Sequence, residues 1–380
     1  MTTDIRALLL VPPAAELPEG KALPISPALL DVAGATPLQR MAERLTRQSA
    51  NATIALVSAN AFPQSCAVAP ENLEYRLASP RQFWRAAEDV FNEMVQAGAE
   101  QILVMSLGQY AEVDIDGLVR FHLERKGQVT QVSHGADVLD IFCVSGSRRN
   151  DAAVLFRSHL AEDRGHCQFF HHDGYVRPLA TARDLRQFAI DILTLKTETQ
   201  PAFEQIRPGV WAGPDALIEK GARVLAPAFI GAFAKVRAGA VITRCSAIEH
   251  HAEIDCGTVV ENSTVLPYSC VGAGLDLAHS VVGTGRIDNL RRNVIAEIAD
   301  PKLIHYVSPA SFGRLRRSAF DFVTYLPRQA WRGLFGTSQP QPVRQEPQPR
   351  PASPAGPARE MEPSAEFPAN LAVVRRYGHQ

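Results

Sequence analysis

Nine aliphatic residues stand six apart in the second half of this chain: Ile218, Val224, Ile230, Val236, Ile242, Ile248, Ile254, Val260 and Leu266. Four residues after each comes a small one: Ala222, Ala228, Ala234, Ala240, Ser246, Ala252, Thr258, Thr264 and Cys270. In extended chain, residues an even number apart share a side. Both members of each step therefore face inward, the large one filling the interior and the small one fitting a tight corner. Steps of fixed length wind into a β-solenoid whose coils bury a continuous apolar column. A β-sandwich also alternates, but nothing in it would hold a six-residue phase through nine steps. The phase slips after Leu266, where the next aliphatic positions are Val271, Leu277 and Val282. This predicts an insertion or a loosened coil near "GAGLDLAHS".

The pattern resembles the hexapeptide-repeat family, whose fold is a left-handed parallel β-helix of three steps per coil. The resemblance implies such a domain over residues 208–290, through which homo-oligomers could form.

Residues 1–200 read differently. "IRALLLV" and "ATIALVS" have the composition of buried strands, and "PLQRMAERLTRQ" between them has helical spacing at Leu38, Met41, Ala42 and Leu45. "SPRQFWRAAEDVFNEMVQAG" predicts a second helix that buries Phe83, Ala87, Val90, Phe91 and Met94. "QILVMSL" follows as another strand. This alternation predicts an α/β, Rossmann-like domain with a mostly parallel sheet covered by helices.

Three segments in order, followed by hexapeptide repeats, resemble the sugar-1-phosphate nucleotidyltransferases. They are "ALLDVAGATPLQRMAERL" (28–45), "VDIDGLVRFHLERKG" (113–127) and "GYVRPLATARDLRQFAIDIL" (174–193). The fold so implied is a nucleotidyltransferase-like mixed-sheet domain followed by the β-helix. The family's glycine loop has no counterpart: Val11-Pro12-Pro13-Ala14-Ala15-Glu16-Leu17 offers neither glycine nor cation, and two prolines remove two N–H donors. Pro27 stands where the family has a phosphate-binding lysine, and Lys21 is the one cation between Arg6 and Arg40. The family's first metal aspartate follows the strand matched by "ILVMS", yet "LGQY" carries no acid. Glu112 and Asp114 lie close by in another register. Pro178 occupies the place of the second metal aspartate. Nucleotidyl transfer rests on positioning and charge neutralisation, and these losses fall together.

Lys21, Glu112 and Asp114 are therefore the candidates for displaced catalytic groups, with Mg²⁺ as cofactor if they converge. A capping role at a helix start is the competing reading of Asp114. Tyr175 and Arg177, in the third matched segment, are the substrate-binding candidates. A third possibility is acyl transfer at the solenoid. His250 and His251 would then serve between the chains of a trimer, the competing reading being solvated surface histidines.

The remaining features narrow the setting. The formal charge of −1 gives no general attraction to nucleic acid. Six cysteines without a C-x-x-C pair suit a reducing compartment, and no run reaches the roughly 20 apolar residues of a membrane span. A cytoplasmic protein is expected. "GHCQFFHHDG" (165–174) has the residue types but not the spacing of a metal site, and Arg148-Arg149 reads as a solvated turn. Residues 300–336 are basic and aromatic, and are read as capping the solenoid column, with a membrane-surface role as the alternative. Residues 337–380 are expected from their proline-rich composition to form a disordered tail that could dock a protein partner. The combined expectation is a divergent, non-catalytic member of this family in nucleotide-sugar or cell-envelope polysaccharide metabolism. It would bind a nucleotide or nucleotide-sugar, or scaffold a partner.

Overall fold

The computed structural model describes residues 5–13, 23, 25–48, 53–58, 73–126, 129–146, 168–283 and 285–307. All of these fall within one compact unit, residues 1–319. Lys21, Arg148-Arg149, residues 308–336 and the whole of 337–380 lie outside the described residues. The architecture is mixed α/β, with mostly parallel sheets and four α-helices among the described residues.

Nine strands belong to the first half. They are β1 (Ile5–Val11), β2 (Thr53–Ser58), β3 (Leu73–Leu77), β4 (Gln101–Ser106), β5 (Gln109–Ala111), β6 (Val129–His134), β7 (Asp137–Ser145), β8 (Gln168–His171) and β9 (Val176–Pro178). The helices are α1 (Pro37–Gln48), α2 (Phe83–Gln96), α3 (Ile115–Glu124) and α4 (Ala182–Leu193). Seven strands form one sheet in the order β3-β2-β1-β4-β7-β6-β8. Neighbours are parallel except where β7 runs against β4 and β6.

Alternation along β1 explains why both sheet faces are covered. Leu8 and Leu10 point to α2, where they meet Phe83, Ala87, Val90, Phe91 and Met94. Ala7, Leu9 and Val11 point the other way, into a core shared with α1, α3 and α4. The helix-facing residues expected from spacing in α1 and α2 are the buried ones. The Ser79-Pro80 start is a turn, and the α2 helix begins at Phe83.

From residue 205 the chain winds in coils of three short strands. One face stacks Val210–Ala212, Ala228–Ile230, Ser246–Ile248, Thr264–Val265 and Ser280–Gly283 in parallel. A second stacks Leu217–Ile218, Lys235–Val236, Glu253–Ile254 and Ser269–Val271. The third stacks Arg223–Val224, Val241–Thr243, Val259–Glu261 and Asp276–Ala278. A hairpin, Arg286–Asn289 with Val294–Glu297, closes the first face, and Ile304–Tyr306 adds antiparallel to the second. The interior column holds Ile230, Val236, Ile242, Ile248, Ile254 and Val260, none of them exposed.

The phase slip comes earlier than the sequence predicts. Thr243 lies against Glu261, eighteen residues on, whereas Ile248 lies against Val265, seventeen on. One residue is lost at the Asn262-Ser263 corner, not inserted near residue 272. At the equivalent corner of the preceding coil, Arg244 and Cys245 both take left-handed backbone; here Asn262 alone does, and His279 alone one coil later. Val265 therefore fills the column and Leu266 turns outward, against the core of the α/β half. A serine ladder braces these shorter corners. Ser246 Oγ accepts from the Ser263 amide at 3.3 Å, and Ser263 Oγ from the Ser280 amide at 3.0 Å.

The α/β half and the coils share a core. Trp211, Phe229, Ala247 and Val281 of the first coil face pack into the cluster containing α1, α3 and α4. The linker crosses that seam, with Phe203 stacked on Phe229 at 5.8 Å and the Ala202 amide donating to Ala33 O.

Candidate functional site

In open α/β sheets ligands bind beyond the carboxyl ends of strands where the strand order reverses. That point here lies between β1 and β4. There the Leu107 amide donates to Leu10 O at 2.7 Å, and the Leu179 amide to Gly108 O at 2.9 Å. Pro178 sits on β9, paired with Gln109 of β5.

Glu112 follows β5 and is buried. Its two carboxylate oxygens accept from the amides of Glu198 and Thr199 at 2.8 and 2.9 Å. Its own amide donates to Tyr175 O, and its carbonyl accepts from Arg44. The side chain thus anchors the linker that leads to the coils. Asp114 is the N-cap of α3, accepting from the Gly117 amide at 3.0 Å. The two acids do not converge. Their oxygens serve backbone donors, so this pair does not fit Mg²⁺, which requires several oxygen ligands facing one point.

Tyr175 and Arg177 do come together, on Asp191 of α4. The Tyr175 hydroxyl and the Arg177 guanidinium reach the same carboxylate oxygen at 2.8 and 2.9 Å. Burial raises the Tyr175 pKa, so the hydroxyl stays protonated. These side chains fasten the β9 segment to α4. His171, at the end of β8, pairs with Asp173 at 2.9 Å, while His172 is buried.

Of the two candidate histidines of the coils, His250 is not a solvated surface group and His251 is half-buried. His250 is buried, with Nδ1 within 2.5 Å of an Asp31 oxygen. Its ring meets His251 and Tyr268 edge-on. His251 is the middle rung of a corner ladder, stacked 4.9 Å from Phe233 and 4.7 Å from Tyr268. Burial, together with the nearby His250 and Lys235, pushes its pKa down to about 4. The surface expectation fails for His250, which meets Asp31 of the α/β half, while His251 stays half-exposed between its two stacking partners. Beside His250, the fully buried Glu249 reaches across the seam and accepts from the amides of Ala33 and Gly34 at 2.8 and 3.1 Å. Burial and Asp31 raise its pKa to about 7.

Among the described residues, open space lies beside α1. A cavity of about 460 Å³ is lined by Arg40, Arg44 and Arg47 of α1, with Glu43, Tyr110 and the Glu198–Gln200 linker. Spacings of four and three put the arginines on one helix face. Arg40 is buried and donates to Val32 O, Ala33 O and Gln200 O. Arg44 pairs with Glu198 at 2.8 Å, and the Tyr110 hydroxyl meets Thr199 Oγ1 at 2.7 Å. Glu112 supports the linker wall of this cavity from behind. The sequence does carry the signal, as R-x-x-x-R-x-x-R within "PLQRMAERLTR", but it also reads as an ordinary polar helix face.

Among the described residues no three His, Cys, Asp or Glu side chains form a metal-binding group, and no helix is long and apolar enough to cross a membrane. No protein-family model matches the chain, and no curated protein matches it.

Proposed function

We propose that this chain carries the frame of a sugar-1-phosphate nucleotidyltransferase without its chemistry. It would work in the cytoplasm, in nucleotide-sugar or cell-envelope polysaccharide metabolism, binding a sugar-nucleotide-like ligand. The observation that carries this reading is the commitment of Glu112: both carboxylate oxygens serve the Glu198 and Thr199 amides. The acid nearest the family's metal position is thereby removed from metal binding. The mixed seven-stranded sheet agrees with the nucleotidyltransferase-like frame. Three coil faces visited in rotation, with left-handed corners at Asp215, Phe233, His251 and Tyr268, agree with the left-handed parallel β-helix of hexapeptide-repeat proteins. The arginine-lined cavity on α1 would hold the ligand's diphosphate, since guanidinium forks match phosphate oxygens. Arg47, exposed at its rim, is free to move onto it.

The test is calorimetric titration with nucleoside triphosphates and nucleotide-sugars, with and without Mg²⁺. The expected result is nucleotide-sugar binding that does not depend on Mg²⁺, weakened about tenfold in Arg47→Ala. Mg²⁺-dependent triphosphate binding with release of pyrophosphate would overturn the non-catalytic reading. Absence of any nucleotide-sugar binding would overturn the ligand.

A further inference from the structure

A second cluster of arginines lies where α4 crosses the shortened corners of the coils. Arg183, Arg186, Gln187 and Ile190 of α4 face Asn262, His279, Leu290 and Arg291 across a cavity of about 250 Å³. Three guanidiniums, a histidine and two amides line it, and no acid does.

The charge of these arginines is not neutralised by their own bonds. Arg186 is only 2% exposed. It donates to Asn262 O at 3.2 Å, Thr264 Oγ1 at 3.3 Å, Cys245 O at 2.7 Å and Asn262 Oδ1 at 2.9 Å, all uncharged acceptors. Arg183 donates to Leu290 O at 2.6 Å. Arg291 has no hydrogen-bond or ion-pair partner among the described residues. The buried acid that Arg186 senses, Glu249, is already bonded to the Ala33 and Gly34 amides. Asp184, on the same helix, closes the capping box with Thr181. On the corner side, the Asn262 amide and His279 Nδ1 bond to each other at 2.6 Å, which fixes both side chains at the wall.

A buried guanidinium with no carboxylate in contact is costly; Glu249 acts on Arg186 only at a distance, and burial holds the Arg186 pKa down at about 10. Three like charges around one cavity repel, and an anion placed among them reverses that term. Arginine forks match the geometry of phosphate oxygens. The volume is below the roughly 300 Å³ at which pockets for whole organic ligands begin, so it suits a phosphoryl group and not a complete nucleotide-sugar. We propose that this cleft between α4 and the coil corners binds a phosphate-type oxyanion, either free phosphate or the phosphoryl end of a phosphomonoester. The site is distinct from the α1 cavity and draws residues from both halves of the chain, so its occupancy would strengthen the seam.

The experiment is thermal unfolding and calorimetry of the full chain with inorganic phosphate or glucose 1-phosphate, at ionic strength held constant with chloride. Wild type is compared with Arg183→Ala, Arg291→Ala and Arg47→Ala; the buried Arg186 is left intact because its removal would disturb the seam. Saturable binding is expected, accompanied by a rise in melting temperature. It should weaken about tenfold in Arg183→Ala and Arg291→Ala and persist in Arg47→Ala. Tighter binding of glucose 1-phosphate than of phosphate assigns the phosphomonoester, and the reverse order assigns free phosphate. A response equal to that of chloride overturns the site. So does loss of binding in Arg47→Ala with Arg183→Ala and Arg291→Ala unaffected. Nucleotide-sugar binding in Arg291→Ala reports separately on the α1 cavity, so the two readings fail independently.

Discussion

Glu112 shows how one carboxylate can be taken from chemistry by the backbone. An amide left without its acceptor costs up to about 1–3 kcal/mol when buried, and here two half-buried amides share one side chain. Glu112→Ala is therefore expected to lower stability by about 2–4 kcal/mol in urea unfolding, without changing any response to Mg²⁺. A Mg²⁺-dependent stabilisation of wild type that disappears in the variant would mark Glu112 as a ligand after all. Nothing in the sequence distinguishes this glutamate from a displaced metal ligand, because its partners are amides 86 and 87 residues away. Asp114 was legible, since a cap and the amide it serves are three residues apart.

The titratable groups at the seam give a pH signature. Glu249 has its folded pKa raised to about 7 from 4.5. Its contribution is fully present below the unfolded value and is lost as pH rises through 7, a change of about 3 kcal/mol. His251 is depressed to about 4 from 6.5. Its contribution is present above 6.5 and is lost as pH falls toward 4. Stability measured from pH 4 to 8 should thus fall less on the alkaline side in Glu249→Gln than in wild type. It should fall less on the acid side in His251→Phe, which keeps a ring between Phe233 and Tyr268. Parallel curves for each variant and wild type would show that neither group titrates as placed.

At the scale of elements, periodicity was a good guide wherever both partners of a contact lay on one local pattern. The α1 and α2 faces, β1, β2 and β4, and the coil interior as far as Val260 follow from spacing alone. What spacing could not give was the pairing of α4 with the coil corners, or the turn at "DVAGAT". That turn puts Ala33 and Gly34 in left-handed backbone, φ 51° and 89°, so that their amides face Glu249. A Cβ on Gly34 would sit 2.8 Å from Phe229 and 2.9 Å from Phe203. Gly34→Ala combines backbone strain with overpacking and should cost about 2–4 kcal/mol. A loss below about 0.5 kcal/mol would mean that this turn is not held against the coils.

At the scale of the molecule, the α/β half and the coils unfold as they are packed. Trp211, Phe229, Ala247 and Val281 belong to the same apolar cluster as β1 and α1. Arg186 and Glu249 cross the seam in opposite directions. A single cooperative transition is expected, with far-ultraviolet circular dichroism and tryptophan fluorescence changing together. Two separated transitions would show that the halves fold as independent bodies. This seam was the least legible feature. Each half carries a pattern complete in itself, and the residues that join them are single polar side chains with no period.

The residue missing at Asn262-Ser263 has one more consequence. A stack of identical coils presents the same profile at every level and gives a neighbour no reason to settle at any one height. Shortening a corner breaks that translational symmetry. It swings Leu266 onto the α/β core and brings the Asn262 carbonyl under Arg186. The irregularity serves as an address, marking the level of the column at which the other half docks. Redesign toward a perfect repeat would erase that mark, and the most regular version of this column would be the one least able to hold its partner domain.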